Sequence, residues 1–126
     1  MKRKILMIED NEQNRYLATF LLERRGHEVA HAYDGPGGIE LAAKFRPDII
    51  LLDIQLPGMD GYAVAQALRR HPDMTDTPIV AVTSYAMPGD REKALESGCT
   101  GYIEKPIDPD SFVDDVERHL TPENPA

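Results

Sequence analysis

The stretch Ile49-Ile50-Leu51-Leu52-Asp53 determines the fold, because four consecutive apolar residues end in a carboxylate. An apolar run without alternation is typical of a strand buried on both faces of a parallel sheet. Pro57, Gly58 and Gly61 break the chain soon afterwards. Asp53 is therefore predicted at the carboxyl end of a central strand, where α/β sheets place their chemistry. A lone buried aspartate can also cap the next turn, and the rest of the chain decides between these interpretations.

The composition is that of one globular domain with an acidic balance. The chain has 126 residues, of which 41% are hydrophobic and 29% are charged, and its formal net charge is −8. We expect a single domain over 1–126, with a core over about 4–120 and a flexible tail over 121–126. The acidic balance argues against nucleic acid as a partner, because phosphate binding needs a basic face. It provides solubility or includes a cation-binding cluster.

The cysteine content and the N-terminus indicate the compartment. The single cysteine, Cys99, excludes an internal disulfide and any CxxC chemistry, which fits a reducing compartment. The apolar run from Ile5 to Ile8 is too short for a signal sequence or a membrane span before Glu9 and Asp10 interrupt it. We therefore predict a cytoplasmic protein without a membrane partner.

Strand and helix patterns alternate five times along the chain. Gly26 and Gly98 end helices, and Pro36 suits the first turn of another. This alternation predicts an α/β fold: a five-stranded parallel sheet with helices on both faces and right-handed crossovers. The predicted strands are 4–8, 28–32, 49–53, 79–83 and 101–104, and the predicted helices are about 14–25, 36–46, 61–71, 88–97 and 108–120.

Polar residues follow four of these strands, and parallel topology brings them to one edge of the sheet. They are Glu9, Asp10, Asp53, Thr83 and Lys105. Three carboxylates together repel one another, and a hard divalent cation such as Mg²⁺ relieves that repulsion. A metal, an ammonium and a hydroxyl around one carboxylate suit a phosphoryl group. Each residue alone has a plainer interpretation as a cap, a surface charge or a turn residue, but their convergence favours a site.

At these strand ends the sequence resembles a response-regulator receiver domain, over about Lys4 to Leu120. The resemblance implies the (βα)5 flavodoxin-like, doubly wound fold of that family. It also implies a response regulator of two-component signal transduction. The matching segments are Ile8-Glu9-Asp10-Asn11, Leu52-Asp53-Ile54-Gln55-Leu56-Pro57-Gly58-Met59-Asp60-Gly61, Val82-Thr83-Ser84 and Glu104-Lys105-Pro106.

The resemblance implies a role for each residue of the site. Asp53 would accept a phosphoryl group from the phosphohistidine of a histidine kinase or a histidine phosphotransfer protein. Mg²⁺ would be held by Asp10, by Asp53 and by the backbone carbonyl of Gln55, with Glu9 acting through water. Lys105 would pair with the phosphoryl group.

The resemblance also implies a conformational switch. Thr83 would move toward the phosphoryl group and Tyr102 would swing inward, although Tyr102 can also be a strand residue with its hydroxyl in water. Pro106 would follow a cis peptide bond. The added charge would shift the conformation of the surface formed by the fourth helix, fifth strand and fifth helix, about 88–120. A downstream protein would bind the shifted conformation.

The chain contains no segment left over for an output domain. We therefore expect a stand-alone receiver without DNA binding, acting by protein contact as a monomer or a weak phosphorylation-dependent dimer. Similar stretches occur in receivers attached to hybrid histidine kinases, so an excised receiver is an alternative. A degenerate receiver used as a scaffold is disfavoured by the complete set of site residues. One departure is Pro36-Gly37-Gly38, where receivers commonly carry better helix formers.

Two enzyme interpretations compete with this one. His27-Glu28-Val29-Ala30-His31 satisfies the zinc-protease pattern H-E-x-x-H, which requires a helix. On the predicted strand, at about 3.3 Å per residue, the two imidazoles lie roughly 13 Å apart and cannot share a metal. The four histidines are spread along the chain with no ligand pattern, so they are predicted to be solvated or packing residues.

A phosphatase of the haloacid-dehalogenase type is the second competing enzyme. Such enzymes carry an aspartate two residues after the nucleophile, but here that residue is Gln55, which cannot transfer protons. We expect no conventional enzyme, only a protein that catalyses its own phosphorylation and dephosphorylation.

Overall fold

A computed structural model describes residues 2–56, 58–84 and 88–120 and shows five strands that alternate with five helices. The predicted tail over 121–126, and Pro57 among the predicted chain breakers, lie outside the described residues. The strands are β1 (Lys4–Ile8), β2 (Glu28–Ala32), β3 (Ile49–Asp53), β4 (Ile79–Thr83) and β5 (Gly101–Glu104). The helices are α1 (Glu12–Arg24), α2 (Gly35–Phe45), α3 (Gly61–Arg70), α4 (Asp90–Glu96) and α5 (Phe112–Arg118), with a 3₁₀ turn at Pro72–Met74.

The strands form one parallel sheet in the order β2-β1-β3-β4-β5. The register pairs Ile8 with Leu52, residue 53 with Val82, and Thr83 with residue 104. Because neighbouring strands end within one residue of this register, their carboxyl ends meet at one edge of the sheet. The predicted fold class is confirmed.

The core has two halves, one on each face of the sheet. Alternating strand residues such as Leu6 and Ile8 pack toward α2 and α3, whereas Ile5 and Met7 pack toward α1 and α5. Every residue of β3 is buried, as expected for a central strand covered on both sides. Within the described part of the chain, no helix combines the length and the apolar character needed to span a membrane.

The glycine-rich start of α2 is explained by close packing. A Cβ atom on Gly38 would lie 2.4 Å from Cδ1 of Ile8, and one on Gly35 would lie 2.7 Å from a methyl group of Val64. A better helix former would therefore clash with β1 or α3. Asp34 supplies the N-cap, because its Oδ1 accepts a hydrogen bond from the backbone N–H of Gly37 at 2.8 Å.

The first helix begins earlier than the predicted Asn14. Its N-cap is Asn11, whose side-chain oxygen accepts a hydrogen bond from the backbone N–H of Asn14 at 2.9 Å. This bond satisfies one of the free donors of the first turn and allows the helix to start at Glu12. The predicted start was wrong because the capping asparagine was not recognised.

The last two helices begin later than predicted. Helix α4 starts at Asp90 rather than 88, because Gly89 has a φ of 94° and cannot continue a right-handed helix. Helix α5 starts at Phe112 rather than 108, because the side chain of Asp108 accepts the N–H of Asp110 at 2.9 Å and forms a local turn. It ends at residue 118 rather than 120.

The edge of the sheet at the amino ends of the strands is closed by polar contacts. We call Arg3, His27, Asp48, Arg69 and Glu117 the amino edge. His27 is buried; its Nδ1 accepts the backbone N–H of Arg3 at 3.2 Å and its Nε2 lies 2.8 Å from Oε2 of Glu117. Since Nδ1 is an acceptor, the ring proton is on Nε2 and is donated to the carboxylate. Asp48 accepts the backbone N–H of residue 4 at 2.7 Å.

Arg69 makes the densest set of contacts at the amino edge. Its Nη1 donates to the carbonyl oxygens of Met74 at 2.5 Å and Thr77 at 2.9 Å, and its Nη2 donates to that of Gly98 at 2.6 Å. These carbonyls precede β4 and β5. One guanidinium from α3 therefore fastens the segments that lead into two strands.

Candidate functional site: an acidic cluster with a buried lysine

The ends of β1 and β3 bring three carboxylates together. Glu9 follows Ile8 and Asp53 follows Leu52, and the pairing of Ile8 with Leu52 makes the two acids neighbours. Glu9 is 1% exposed and Asp53 is 3% exposed, while Asp10 lies at the surface. One carboxylate oxygen from each of the three residues lies within 4.8 Å of the others.

The end of β5 brings a cation to the same place. The backbone N–H of Lys105 donates to the carbonyl of Thr83 at 2.9 Å, which extends the β4–β5 pairing by one residue. The Lys105 ammonium then lies 2.7 Å from Oε1 of Glu9 and 3.3 Å from Oδ2 of Asp53. The peptide bond between Lys105 and Pro106 is cis. We call Glu9, Asp10, Asp53 and Lys105 the carboxyl edge.

The electrostatics of the carboxyl edge shift the pKa values of the two buried acids in opposite directions. Burial, followed by the hydrogen bond with Asp53, raises the pKa of Glu9 to about 7. Burial opposes ionisation of Asp53 as well, but hydrogen bonds from Glu9 and from the backbone N–H of Gln55 and the charge of Lys105 lower its pKa below the usual value. Burial disfavours the Lys105 ammonium, yet the hydrogen bond to Glu9 raises its pKa. Asp53 therefore holds a negative charge beside a positive one.

The orientation of Glu9 is determined by the first turn of α1, which the sequence analysis did not identify. Asn14 Nδ2 lies 3.3 Å from Oε1 of Glu9, and the backbone N–H of Asn11 donates to Oε2 at 3.4 Å. Arg15 Nη1 donates to the backbone carbonyl of Glu9 at 2.8 Å. The available signal was the pair of asparagines three positions apart directly after the acids, a spacing that places both in the first turn of a helix.

The loops after β3 and β4 are joined above Asp53. The backbone N–H of Gln55 donates to Oδ1 of Asp53 at 2.9 Å, and the hydroxyl of Ser84 donates to the side-chain oxygen of Gln55 at 2.9 Å. A cavity of about 600 Å³ opens beside this link, lined by Asp10 and Gln55 and by residues of α3 and α4. Whether the carbonyl of Gln55 binds a metal stays a prediction.

The two predicted switch residues lie on neighbouring strands. Thr83 ends β4 and is 1% exposed, and Tyr102 on β5 is half-buried against the core half that contains Ala81. Burial, with the negative charge of Asp90, raises the pKa of the Tyr102 phenol. The phenol is therefore a neutral hydroxyl at the boundary between the core and α4. The switching roles of both residues stay predictions.

The histidines of the H-E-x-x-H pattern do not meet. The segment lies at and just before strand β2, His31 is exposed, and His27 is engaged with Glu117 at the opposite edge of the sheet from the acidic cluster. Among the described residues, the one group of acidic, histidine or cysteine side chains with metal-binding spacing is the cluster of Glu9, Asp10 and Asp53.

The carboxyl edge suits a hard divalent cation. Its donors are carboxylate oxygens alone, and three carboxyl groups face a single ammonium. The oxygens of an anion bound next to Asp53 would lie close to both Lys105 and such a cation. This combination supports transfer of a strongly charged group to a carboxylate.

Comparison with known proteins identifies the class of protein that this fold and site define. Residues 5–117 match the family model described as the response regulator receiver domain. The chain therefore belongs to the response regulator receiver family of two-component signalling.

The relatives extend this assignment over nearly the whole chain. The polar-differentiation response regulator DivK of Brucella anthropi is 38% identical over 120 residues, which are 95% of this chain and 98% of DivK. DivK of Brucella ovis is 37% identical over the same length.

Solved structures share the fold and, in one case, contain a metal. The chemotaxis response regulator CheY4 of Vibrio cholerae superposes with a TM-score of 0.90 at 29% identity, covering 95% of this chain and 100% of CheY4. The receiver domain of the sensor histidine kinase PA1611 of Pseudomonas aeruginosa gives 0.85 at 32% identity, with coverage of 94% and 98%. That structure has a magnesium ion coordinated in its active-site cleft.

Proposed function

We propose that this protein is a Mg²⁺-dependent phosphoacceptor that takes a phosphoryl group on Asp53 and signals through protein contacts. The observation that carries the proposal is the position of Asp53: it is buried, 3.3 Å from the Lys105 ammonium, and within 4.8 Å of two further carboxylates. A carboxylate whose pKa is lowered remains a nucleophile at neutral pH.

Asp10 and Asp53 would hold Mg²⁺ directly, the backbone carbonyl of Gln55 would add a third oxygen, and Glu9 would act through water. The oxygen-only donor set supports this choice of metal. Bound there, the metal would neutralise phosphoryl oxygens during transfer. The receiver of PA1611, with its magnesium ion, supports the same assignment.

In the transfer step, a carboxylate oxygen of Asp53 attacks the phosphorus of a phosphohistidine. The nitrogen–phosphorus bond breaks and its electron pair stays on the imidazole, while the new oxygen–phosphorus bond makes an acyl phosphate. Lys105 neutralises the transferred oxygens from its position beside Asp53. Later attack by water on phosphorus returns the carboxylate and inorganic phosphate. The protein would catalyse only this cycle.

The switch would run from the new phosphoryl group to the surface of α4, β5 and α5. Thr83 would hydrogen-bond a phosphoryl oxygen, and Tyr102 would move into the space that Thr83 leaves. Their positions on adjacent strands of the same sheet support this coupling. A downstream protein would then recognise the changed surface.

The partners would be a histidine kinase or a histidine phosphotransfer protein on the input side, in the cytoplasm. DivK, which matches this chain over 98% of its own length, supports a stand-alone response regulator. The receiver of PA1611 belongs to a sensor histidine kinase, which keeps the alternative of an attached receiver open to test.

Intact-mass measurement after incubation with acetyl phosphate tests the proposal. Wild type with Mg²⁺ is compared with wild type in EDTA, with Asp53→Asn and with Asp60→Asn. Asp60 is a matched control, because it is a carboxylate of the same loop whose replacement by asparagine keeps the N-cap of α3.

One phosphoryl group is expected on wild type and on the Asp60→Asn variant, with none on Asp53→Asn or in EDTA. Labelling that survives in Asp53→Asn would show that another residue is the acceptor. No labelling in any sample, repeated with a phosphoramidate donor and a panel of histidine kinases, would favour the scaffold. Sustained release of phosphate from a phosphomonoester would instead indicate a phosphatase.

A further inference from the structure

We propose that Asn14 is a positioning residue that orients the Glu9 carboxylate and thereby sets the affinity of the carboxyl edge for Mg²⁺. The inference rests on the proposed function, because it assumes that Glu9, Asp10 and Asp53 surround the metal. Asn14 lies on α1 and is neither a metal ligand nor a nucleophile in the proposed site.

The contacts of Glu9 show what Asn14 does. Oε1 receives two donors, the Lys105 ammonium at 2.7 Å and the Asn14 amide at 3.3 Å, while Oε2 receives the backbone N–H of Asn11 at 3.4 Å. Both oxygens therefore have partners, and the plane of the carboxylate is determined from the side of α1 as well as from β5. Without Asn14, Lys105 would be the remaining donor to Oε1.

Asn14 is itself held in place by the helix start. Its backbone N–H donates to the side chain of Asn11 at 2.9 Å, a bond that any residue except proline can make at position 14. The backbone of Glu9 is fixed separately by Arg15, whose guanidinium also lies 4.2 Å from the ring of Tyr33. Replacing the side chain of Asn14 should therefore leave the helix cap and the Glu9 backbone intact and release only the carboxylate.

The orientation of the Glu9 carboxylate would affect the affinity for Mg²⁺ indirectly, through the water between them. Residues that orient metal ligands from behind typically contribute about 10- to 100-fold in metal affinity. The Asn14 bond is long, its donor is uncharged, and Glu9 would act on the metal through water, so an effect at the lower end of this range, about tenfold, is expected. The rate of phosphoryl transfer at saturating Mg²⁺ should change little, since Asn14 contacts neither Asp53 nor Lys105 in the described hydrogen bonds.

Isothermal titration with Mg²⁺ alone, without a phosphodonor, is the main measurement. The test variant is Asn14→Leu, which removes the donor at similar size. Gln13→Leu is the matched control, because it makes the same kind of change at the exposed neighbouring residue. Asn14→Gln restores a donor, and Asn14→Ala repeats the deletion with a smaller side chain. Acetyl phosphate labelling rates are then followed against Mg²⁺ concentration.

We expect Asn14→Leu and Asn14→Ala to bind Mg²⁺ about tenfold more weakly, with labelling rates at saturating Mg²⁺ within about twofold of wild type. Asn14→Gln should recover part of the affinity, and Gln13→Leu should match wild type. Equal affinity in Asn14→Leu and wild type, or equal weakening in Gln13→Leu, would overturn the inference. A wild type that binds no Mg²⁺ would overturn the proposed function itself.

Discussion

The two edges of the sheet differ in how their charged groups are paired. At the amino edge, charges and donors are paired: His27 with Glu117, Asp48 with a backbone N–H, and Arg69 with four backbone carbonyls. At the carboxyl edge, three carboxyl groups share one ammonium. The amino edge is built for stability, whereas the carboxyl edge holds like charges together at a cost in stability. Such a cost is typical of a site kept for function.

The difference predicts opposite responses to substitution. Removing a polar group from the amino edge should destabilise the fold and leave phosphoacceptor chemistry intact. Removing an acid from the carboxyl edge should leave the fold intact, or stabilise it, and abolish the chemistry. Among the described residues, the one buried side-chain polar atom without a hydrogen-bond partner is Oγ1 of Thr19, which belongs to neither edge.

The largest effect is expected from Arg69→Met at the amino edge. Methionine keeps the length of the side chain but removes the guanidinium donors to the carbonyls of Met74, Thr75, Thr77 and Gly98. Unsatisfied carbonyls in partly buried segments should lower the free energy of unfolding by about 3 kcal/mol. Urea unfolding followed by far-UV circular dichroism measures the loss. The exposed neighbour Arg70, changed to methionine, is the matched control, and equal losses in both variants would contradict this assignment.

A smaller loss is expected from His27→Leu. Leucine fills the buried position but makes neither the bond to the backbone N–H of Arg3 nor the bond to Glu117. The free energy of unfolding should fall by about 2 kcal/mol. The extent of acetyl phosphate labelling should equal that of wild type, because the substitution is at the opposite edge from Asp53.

The variant Glu117→Gln removes the charge of residue 117 but keeps an acceptor for the Nε2 bond of His27. A glutamine oxygen can still accept the Nε2 proton, so this variant should lose less stability than His27→Leu. Labelling that falls in step with stability in both variants would contradict the independence of the two edges.

At the carboxyl edge, Asp10→Asn is expected to change stability in the opposite direction. The substitution removes one of three carboxylates whose oxygens lie within 4.8 Å, so the free energy of unfolding in EDTA should rise by about 1 kcal/mol. Mg²⁺ should then add no further stability, because one of its proposed direct ligands is lost. Asp110→Asn, an exposed acid, controls for the change in net charge. A loss of stability in Asp10→Asn would contradict the repulsion at this edge.

The sequence allowed the carboxyl edge to be anticipated far better than the amino edge. The apolar runs before Asp53 and Thr83 reveal buried parallel strands, and topology alone then brings the strand ends together. The clamp of Arg69 has no such signal, because its acceptors are backbone carbonyls 5 to 29 residues away. The bond between Asn14 and Glu9 likewise depends on the start of a helix, which was predicted too late.

The smallest effect is expected from Cys99, a buried thiol close to the amino end of β5. Burial raises the pKa of the Cys99 thiol to about 11, although the charge of Arg69 opposes the shift. A raised pKa in the folded state favours the folded protein fully below the pKa of the unfolded thiol. That contribution is lost as the pH rises toward the folded value.

The variant Cys99→Ala isolates this contribution. Between pH values of about 8 and 9.5, the free energy of unfolding of wild type should fall by less than about 1 kcal/mol more than that of Cys99→Ala. Urea unfolding of both proteins at the two pH values measures the difference. An equal loss in both would mean that the thiol ionises alike in the folded and unfolded states, and that burial does not oppose its ionisation.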